Sequence, residues 1–239
     1  IVMSNNNAKI DIKDIDLTAK SYGINLYSYG SVVNIEGGTI TSTGNIGYYD
    51  SYNNITGKET NITGGTIQGY YNGVYVYATN LNVSNATIKN TITNRSYYAL
   101  NCYRKSICTI DEGSKIISDN ASTIYQNSAT LNINGGEIST NLSNGYAVYV
   151  ASGTLNVNGG TISAPKLDAI GIVAHEGTAT VNINDGKITS GNIGMRVARN
   201  SANNKTVNIN GGTIQGDNYG IYQNIAESTI NIGSSDSEL

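Results

Sequence analysis

One phrase recurs along the chain and constrains its fold more than any other feature. It reads apolar-Asn-apolar-x-Gly-Gly-Thr-Ile: VNIEGGTI at 33–40, TNITGGTI at 60–67, LNINGGEI at 131–138, LNVNGGTI at 155–162, VNINDGKI at 181–188 and VNINGGTI at 207–214. Weaker copies fill the gaps, as IDIKDIDL at 10–17, LNVSNATI at 81–88 and CTIDEGSKI at 108–116, and a last copy begins at Ile230. The second apolar residue anchors each copy: Ile12, Ile35, Ile62, Val83, Ile110, Ile133, Val157, Ile183, Ile209 and Ile232. From 12 to 232 there are nine intervals over 220 residues, about 24 residues per copy. A fixed period of this size is the signature of units that stack because none can bury its apolar side alone.

The local pattern within a copy is that of strands. In TVNIN at 206–210, Val207 and Ile209 alternate with Thr206, Asn208 and Asn210, the period of two that sends successive side chains to opposite faces. The Gly-Gly pair supplies a bend where positive φ carries no Cβ penalty, and Thr-Ile opens a second strand. A third follows a variable loop, as in GINLY at 23–27, GVYVY at 73–77, AVYVA at 147–151, GMRVA at 194–198 and GIYQN at 220–224. Three strands in about 24 residues exceed the roughly 18 of a left-handed hexapeptide coil and suit a right-handed one.

A rough energy comparison shows why the coils must stack. In the coil from 129 to 153, burial of Leu131, Ile133, Ile138, Leu142, Val148 and Val150 contributes roughly 9–18 kcal/mol, whereas ordering the backbone costs about 24–48 kcal/mol. The expected fold is therefore all-β: a single-stranded right-handed parallel β-helix of nine to ten coils, three short strands per coil. It forms one domain over 1–239, with a lead-in at 1–9 and the start of a further coil at 229–239, as expected of a fragment of a larger protein. At ~4.8 Å per rung, nine intervals span roughly 43 Å, and both ends are open sheet edges.

Composition narrows the reading. There is no Phe or Trp, which predicts an aliphatic interior, and one proline, Pro165, with no linker around it. Charged residues are 13% and the net charge is −3, against a nucleic-acid-binding face and against disorder by self-repulsion. No apolar run approaches the roughly 20 residues of a transmembrane helix, and IVMSNNNAK at the start lacks the parts of a signal peptide. Sequons at Asn54, Asn94 and Asn120 arise by chance in so Asn- and Ser-rich a chain. Cys102 and Cys108 both fall on inward positions flanking the corner 103–107. Two buried free thiols are one reading; the other is a disulfide, which requires Cα atoms within about 7 Å.

Two outward columns follow from the alignment. Between the inward positions of the first strand stand Asp11, Asn34, Asn61, Asn82, Thr109, Asn132, Asn156, Asn182, Asn208 and Asn231. Asn is a poor strand former, so its recurrence calls for a ladder of stacked amides bonded along the rod. On the third strand the alignment runs Asn25, Tyr49, Tyr75, Asn101, Tyr125, Tyr149, Val173, Arg196 and Tyr222, with Tyr27, Tyr77 and Tyr103 two residues on. This stripe either covers the sheet by ring stacking or offers sugars or a protein an amphipathic platform.

The phrase, its Gly-Gly bend and the three strands resemble the pectin-lyase-like β-helix superfamily over essentially the whole chain, and most closely the repetitive β-solenoid segments of bacterial surface and adhesin-like proteins. The resemblance implies the architecture. Enzymes of that superfamily carry acids with Lys, Arg or His on an outer face, and neither the Asn-Thr-Asp, Asp-Asp, Gly-His-Gly and Arg-Ile-Lys pattern nor a Ser-His-Asp or Cys-His set occurs here. The one histidine, His175 beside Glu176, reads as a solvated turn. Asp11, Asp14 and Asp16 read as a charged face or end cap, and Asp111, Glu112 and Asp185 as drift of the repeat. No catalytic residue, metal or cofactor is expected. The function expected is a non-catalytic, extracellular or cell-surface spacer that holds a host or bacterial glycan or a surface protein. Its candidate contacts are Tyr49, Tyr75, Tyr77, Tyr125, Tyr149, Arg196 and Tyr222, with the loops 41–45, 68–72, 91–96, 140–144 and 164–168. The alternatives are a carbohydrate-active enzyme or phage tailspike-type depolymerase, and a purely structural stalk.

Overall fold

The computed structural model describes residues 1–52, 58–94, 96–119, 122–141, 145–173, 177–198, 204–226 and 228–233. Over these the chain is a parallel β-solenoid of about nine turns without a helix, which matches the right-handed parallel β-helix expected from coil length. Each full coil lays down three strands. The first strands form face A, from Lys9–Ile12 to Ser228–Ile232, and the second form face B, from Leu17–Ala19 to Thr213–Gly216. The third form face C, a ten-stranded sheet from Val2–Met3 to Tyr219–Gln223. Faces A and B join into one sheet because Gly153–Ala164 and Ala179–Ser190 run unbroken through the bend between them.

All ten anchors stand in one file. Ile12 pairs with Ile35, Ile35 with Ile62, and so on rung by rung to Ile209 and Ile232. The anchors are buried up to Ile183, whereas Ile232 is 73% exposed because no described rung covers it. Among the described residues the apolar core is mainly aliphatic, and it holds one aromatic side chain. Tyr48 is fully buried in the column that elsewhere holds Ile24, Val74 and Leu100, where its hydroxyl pairs with that of Thr60 at 2.6 Å. Leu142 lies outside the described residues; on face B of that coil Ile138 and Thr140 turn inward.

The Gly-Gly bend is required twice over. The second glycine is left-handed, as at Gly65 (φ 78°), and a Cβ there would lie 2.4 Å from the carbonyl oxygen of Gly38 in the preceding coil. Two weaker copies solve the bend one residue earlier with Asp14 (φ 46°) and Asn85 (φ 51°), the residue types that tolerate this conformation best after glycine.

The corner from face C to face A is built differently. At 103–107 the chain turns through two successive left-handed residues, Arg104 (φ 24°) and Lys105 (φ 58°), each costing about 1–2 kcal/mol in a non-glycine residue. A Cys102–Cys108 disulfide with Cα atoms 6.4 Å apart closes this corner, so the free-thiol reading is wrong. A loop this short gives about 2 kcal/mol in the chain-entropy model, enough to offset much of the strain. One coil-pair earlier the same corner holds a buried ion pair that the sequence reading missed. Lys58 Nζ and Asp50 Oδ1 are 2.7 Å apart, each side chain 1% exposed. Nζ also donates to the carbonyls of Tyr52 and Tyr77, and Thr79 donates to the other carboxylate oxygen. Burial pushes the Asp50 carboxyl up and the Lys58 amine down, and each opposes the shift of the other.

Candidate functional site

The outer side of face C places most of the residues singled out for binding. Strand register lines up Asn25, Tyr49, Tyr75, Asn101, Tyr125, Tyr149, Gly171, Arg196 and Tyr222. The position assigned to Val173 thus belongs to Gly171, and Val173 is buried. The alignment failed there because the loop 164–168 sets the strand Asp168–Ile172 two residues earlier than the alternation suggested.

The rings stack along the rod. Tyr22 and Tyr49 lie 5.0 Å apart with planes at 19°, and Tyr125 and Tyr149 5.5 Å apart at 23°. Tyr49 reaches Tyr75, and Tyr75 and Tyr77 both reach Tyr103. Where the column lacks a ring, a tyrosine from the start of a strand supplies one. Tyr98 packs on Tyr125 in the coil of Asn101. At Gly171, a Cβ would lie 2.3–2.6 Å from ring atoms of Tyr146, so the missing side chain makes room for that ring. The column tyrosines are half-buried against one another, which is sheet covering, while Tyr27, Tyr52, Tyr70 and Tyr219 are exposed at its margins.

The ring of Tyr146 forms one wall of a cleft of about 360 Å³, whose lining also includes Lys166, Asp168, Asn192 and Arg196. This volume is at the lower end of small-ligand sites, roughly 300–1,000 Å³. Arg196 is fixed from two sides: its Nε bonds to Asp168, and its guanidinium lies 5.2 Å from the ring centre of Tyr222. The bond to Asp168 raises the pKa of Arg196. Burial, reinforced by Asp168, raises that of the Tyr146 phenol. The expected contact loop 164–168 thus borders the site. His175 and Glu176 lie outside the described residues, as do parts of the loops 91–96 and 140–144. A second hollow, of about 550 Å³, runs along the corner from face C to face A past Lys105, Ser128, Ser152 and Gly177.

On face A the amide ladder is present, in two runs. Asn34 donates to Asp11, Asn61 to Asn34 and Asn82 to Asn61; beyond Thr109, Asn156, Asn182, Asn208 and Asn231 each donate to the amide below, starting at Asn132, all at 2.8 Å. A parallel ladder two residues on was not anticipated: Asn210, Asn184, Asn158 and Asn134 descend to Asp111. A third descends from Asn218 through Asn192 to Asp168. Every bond points toward the N-terminal rung. A carboxylate only accepts, so Asp is suited to the first rung of a run and unsuited to its middle. Asp111 and Asp11 are therefore ladder ends; drift of the repeat is the wrong account of Asp111. The neighbouring acids have their own tasks, since Asp16 accepts the Thr39 amide and Asp14 makes its bend.

Among the described residues, no three side chains of His, Cys, Asp and Glu converge to hold a metal ion. Nor, among these described residues, is any helix long and apolar enough to cross a membrane. No protein-family model, curated protein or solved structure matches the chain. The solenoid is therefore established by its own geometry.

Proposed function

We propose that this chain is a non-catalytic module of a bacterial surface or secreted protein, a rigid spacer whose face C holds a glycan. The observation that carries the reading is the cleft at Tyr146, where a tyrosine wall, an amide and a fixed guanidinium converge beside a stripe of tyrosines. Sugars are bound by such sets, because the ring carbons pack on aromatic surface while hydroxyls meet planar polar groups. The buried disulfide supports an oxidising, extracellular location. About nine turns give a rod roughly 43 Å long, long enough to hold such a site away from its attachment. A depolymerase or other glycosidase calls for two carboxylates about 5–10 Å apart, and among the described residues that line the cleft there is one, Asp168.

A glycan array probed with the chain and with a Tyr75→Ala, Tyr149→Ala, Tyr222→Ala variant tests the proposal. Binding is expected for the parent and lost in the variant, with far-UV circular dichroism unchanged. Equal binding by a folded variant rejects the tyrosine face, and binding to surface proteins alone would replace the glycan with a protein ligand.

A further inference from the structure

Away from the tyrosines, the second half of face A presents a regular outer surface. From the strand Ala129–Ile133 onward its outward residues form a grid. One column runs from Thr130 through Thr154, Thr180 and Thr206 to Thr229, and a second from Asn132 to Asn231, both paired in register. The third is the amide ladder from Asn134 to Asn210. Rungs are ~4.8 Å apart and alternate residues along a strand roughly 6.6 Å apart.

The chemistry of the grid is uniform. An amide has two N–H donors and two acceptor lone pairs, and a mid-column Asn uses one of each on its neighbours, leaving one donor and one acceptor. Each threonine hydroxyl can likewise donate and accept. The three columns carry neither an ionised group nor an aromatic ring, while the tyrosines gather on face C and its corners. Backbone pairing fixes the spacing, and the ladder bonds hold the amides against rotation.

Such a surface discriminates by period. A soluble ligand meets one or two nodes, each giving about 0.5–1.5 kcal/mol net, which is little against the cost of immobilising it. A partner that repeats in two dimensions on the same scale meets all of them at once. Polysaccharide chains repeat in one dimension and are best gripped by aromatic rings, which this face lacks. Ice repeats in two, is uncharged like the grid, and every oxygen in it both donates and accepts. We propose that face A between Thr130 and Asn231 is an ice-binding surface that acts through an ordered first layer of water. The inference is independent of the glycan reading, which concerns another face.

The test is thermal hysteresis and enrichment in slowly grown polycrystalline ice, measured on the full chain, on Thr180→Tyr and Asn184→Tyr variants in the grid, and on Tyr149→Ala on face C. A hysteresis gap and enrichment are expected for the parent and the face C variant, with loss in both grid variants while circular dichroism shows them folded. A parent without hysteresis or enrichment overturns the proposal, as do folded grid variants with full activity. Retention on crystalline cellulose or chitin with no effect on ice overturns it too, assigning the grid to a crystalline polymer.

Discussion

Faces A and C are stacked by the same coils yet held by different chemistry. On face A the outward side chains repeat almost without change, and each amide bonds to its counterpart one rung below. On face C the outward residue varies from Tyr to Asn, Gly and Arg, and rings lean across rungs to close the gaps, as Tyr146 does over Gly171. Hydrogen bonds are directional and link only rungs that present matching groups, as the break at Thr109 shows, so within a run face A tolerates little change. Ring packing is less exacting, which leaves face C free to change shape locally, and the cleft beside Arg196 lies where its column is interrupted.

The sharpest way to break this arrangement is at the corner that joins the two faces. Lys58→Met leaves Asp50 ionisable and unpaired in the interior and is expected to cost about 3–5 kcal/mol in urea unfolding. Replacing both partners, Asp50→Leu with Lys58→Met, should recover most of that loss. A single variant no weaker than the parent would mean that the pair does not join the faces.

A smaller effect separates the middle of a ladder from its end. Asn182→Leu removes bonds to both Asn156 and Asn208, about 1–3 kcal/mol at 0.5–1.5 each. Asn231→Leu removes one and should cost about half as much. Equal costs would show that the amides act singly and not as a run.

The smallest effect belongs to face C. Burial, helped by neighbouring tyrosines, raises the Tyr75 phenol to about 12, against about 10 in an unfolded chain. The folded form keeps its proton longer, so this contribution is fully present below pH ~10 and is lost as pH rises through about 12. Tyr75→Phe should therefore move the midpoint of alkaline unfolding slightly upward, and a downward shift would contradict the assignment.

The sequence disclosed whatever repeats. The anchors from Ile12 to Ile232, the first amide ladder and most of the tyrosine column could be read from period alone. The second ladder was equally legible in four copies, since Asn134, Asn158, Asn184 and Asn210 occupy one place in the phrase, but Glu36, Thr63 and Ser84 stand at that place in others. What escaped was what does not recur. Asp50 and Lys58 occur together in one coil, and their pairing depends on a corner whose intervening length no other copy shares. Gly171 was displaced by the same kind of irregularity, a loop of unpredictable length before a regular strand. The disulfide was open in the sequence because the corner between Cys102 and Cys108 has no fixed geometry until Arg104 and Lys105 adopt left-handed turns.

Every column of the molecule depends on successive coils stacking in parallel and in register. Thr154 and Thr180 are partners on adjacent rungs, about 4.8 Å apart and within reach of a disulfide, while Thr154 and Asn182 are offset by two residues, to roughly 8 Å. Oxidation of a Thr154→Cys, Thr180→Cys variant should form an intramolecular bond quantitatively, and a Thr154→Cys, Asn182→Cys variant should not. Cross-linking of the offset pair in preference to the aligned one would contradict the register on which every column described above depends.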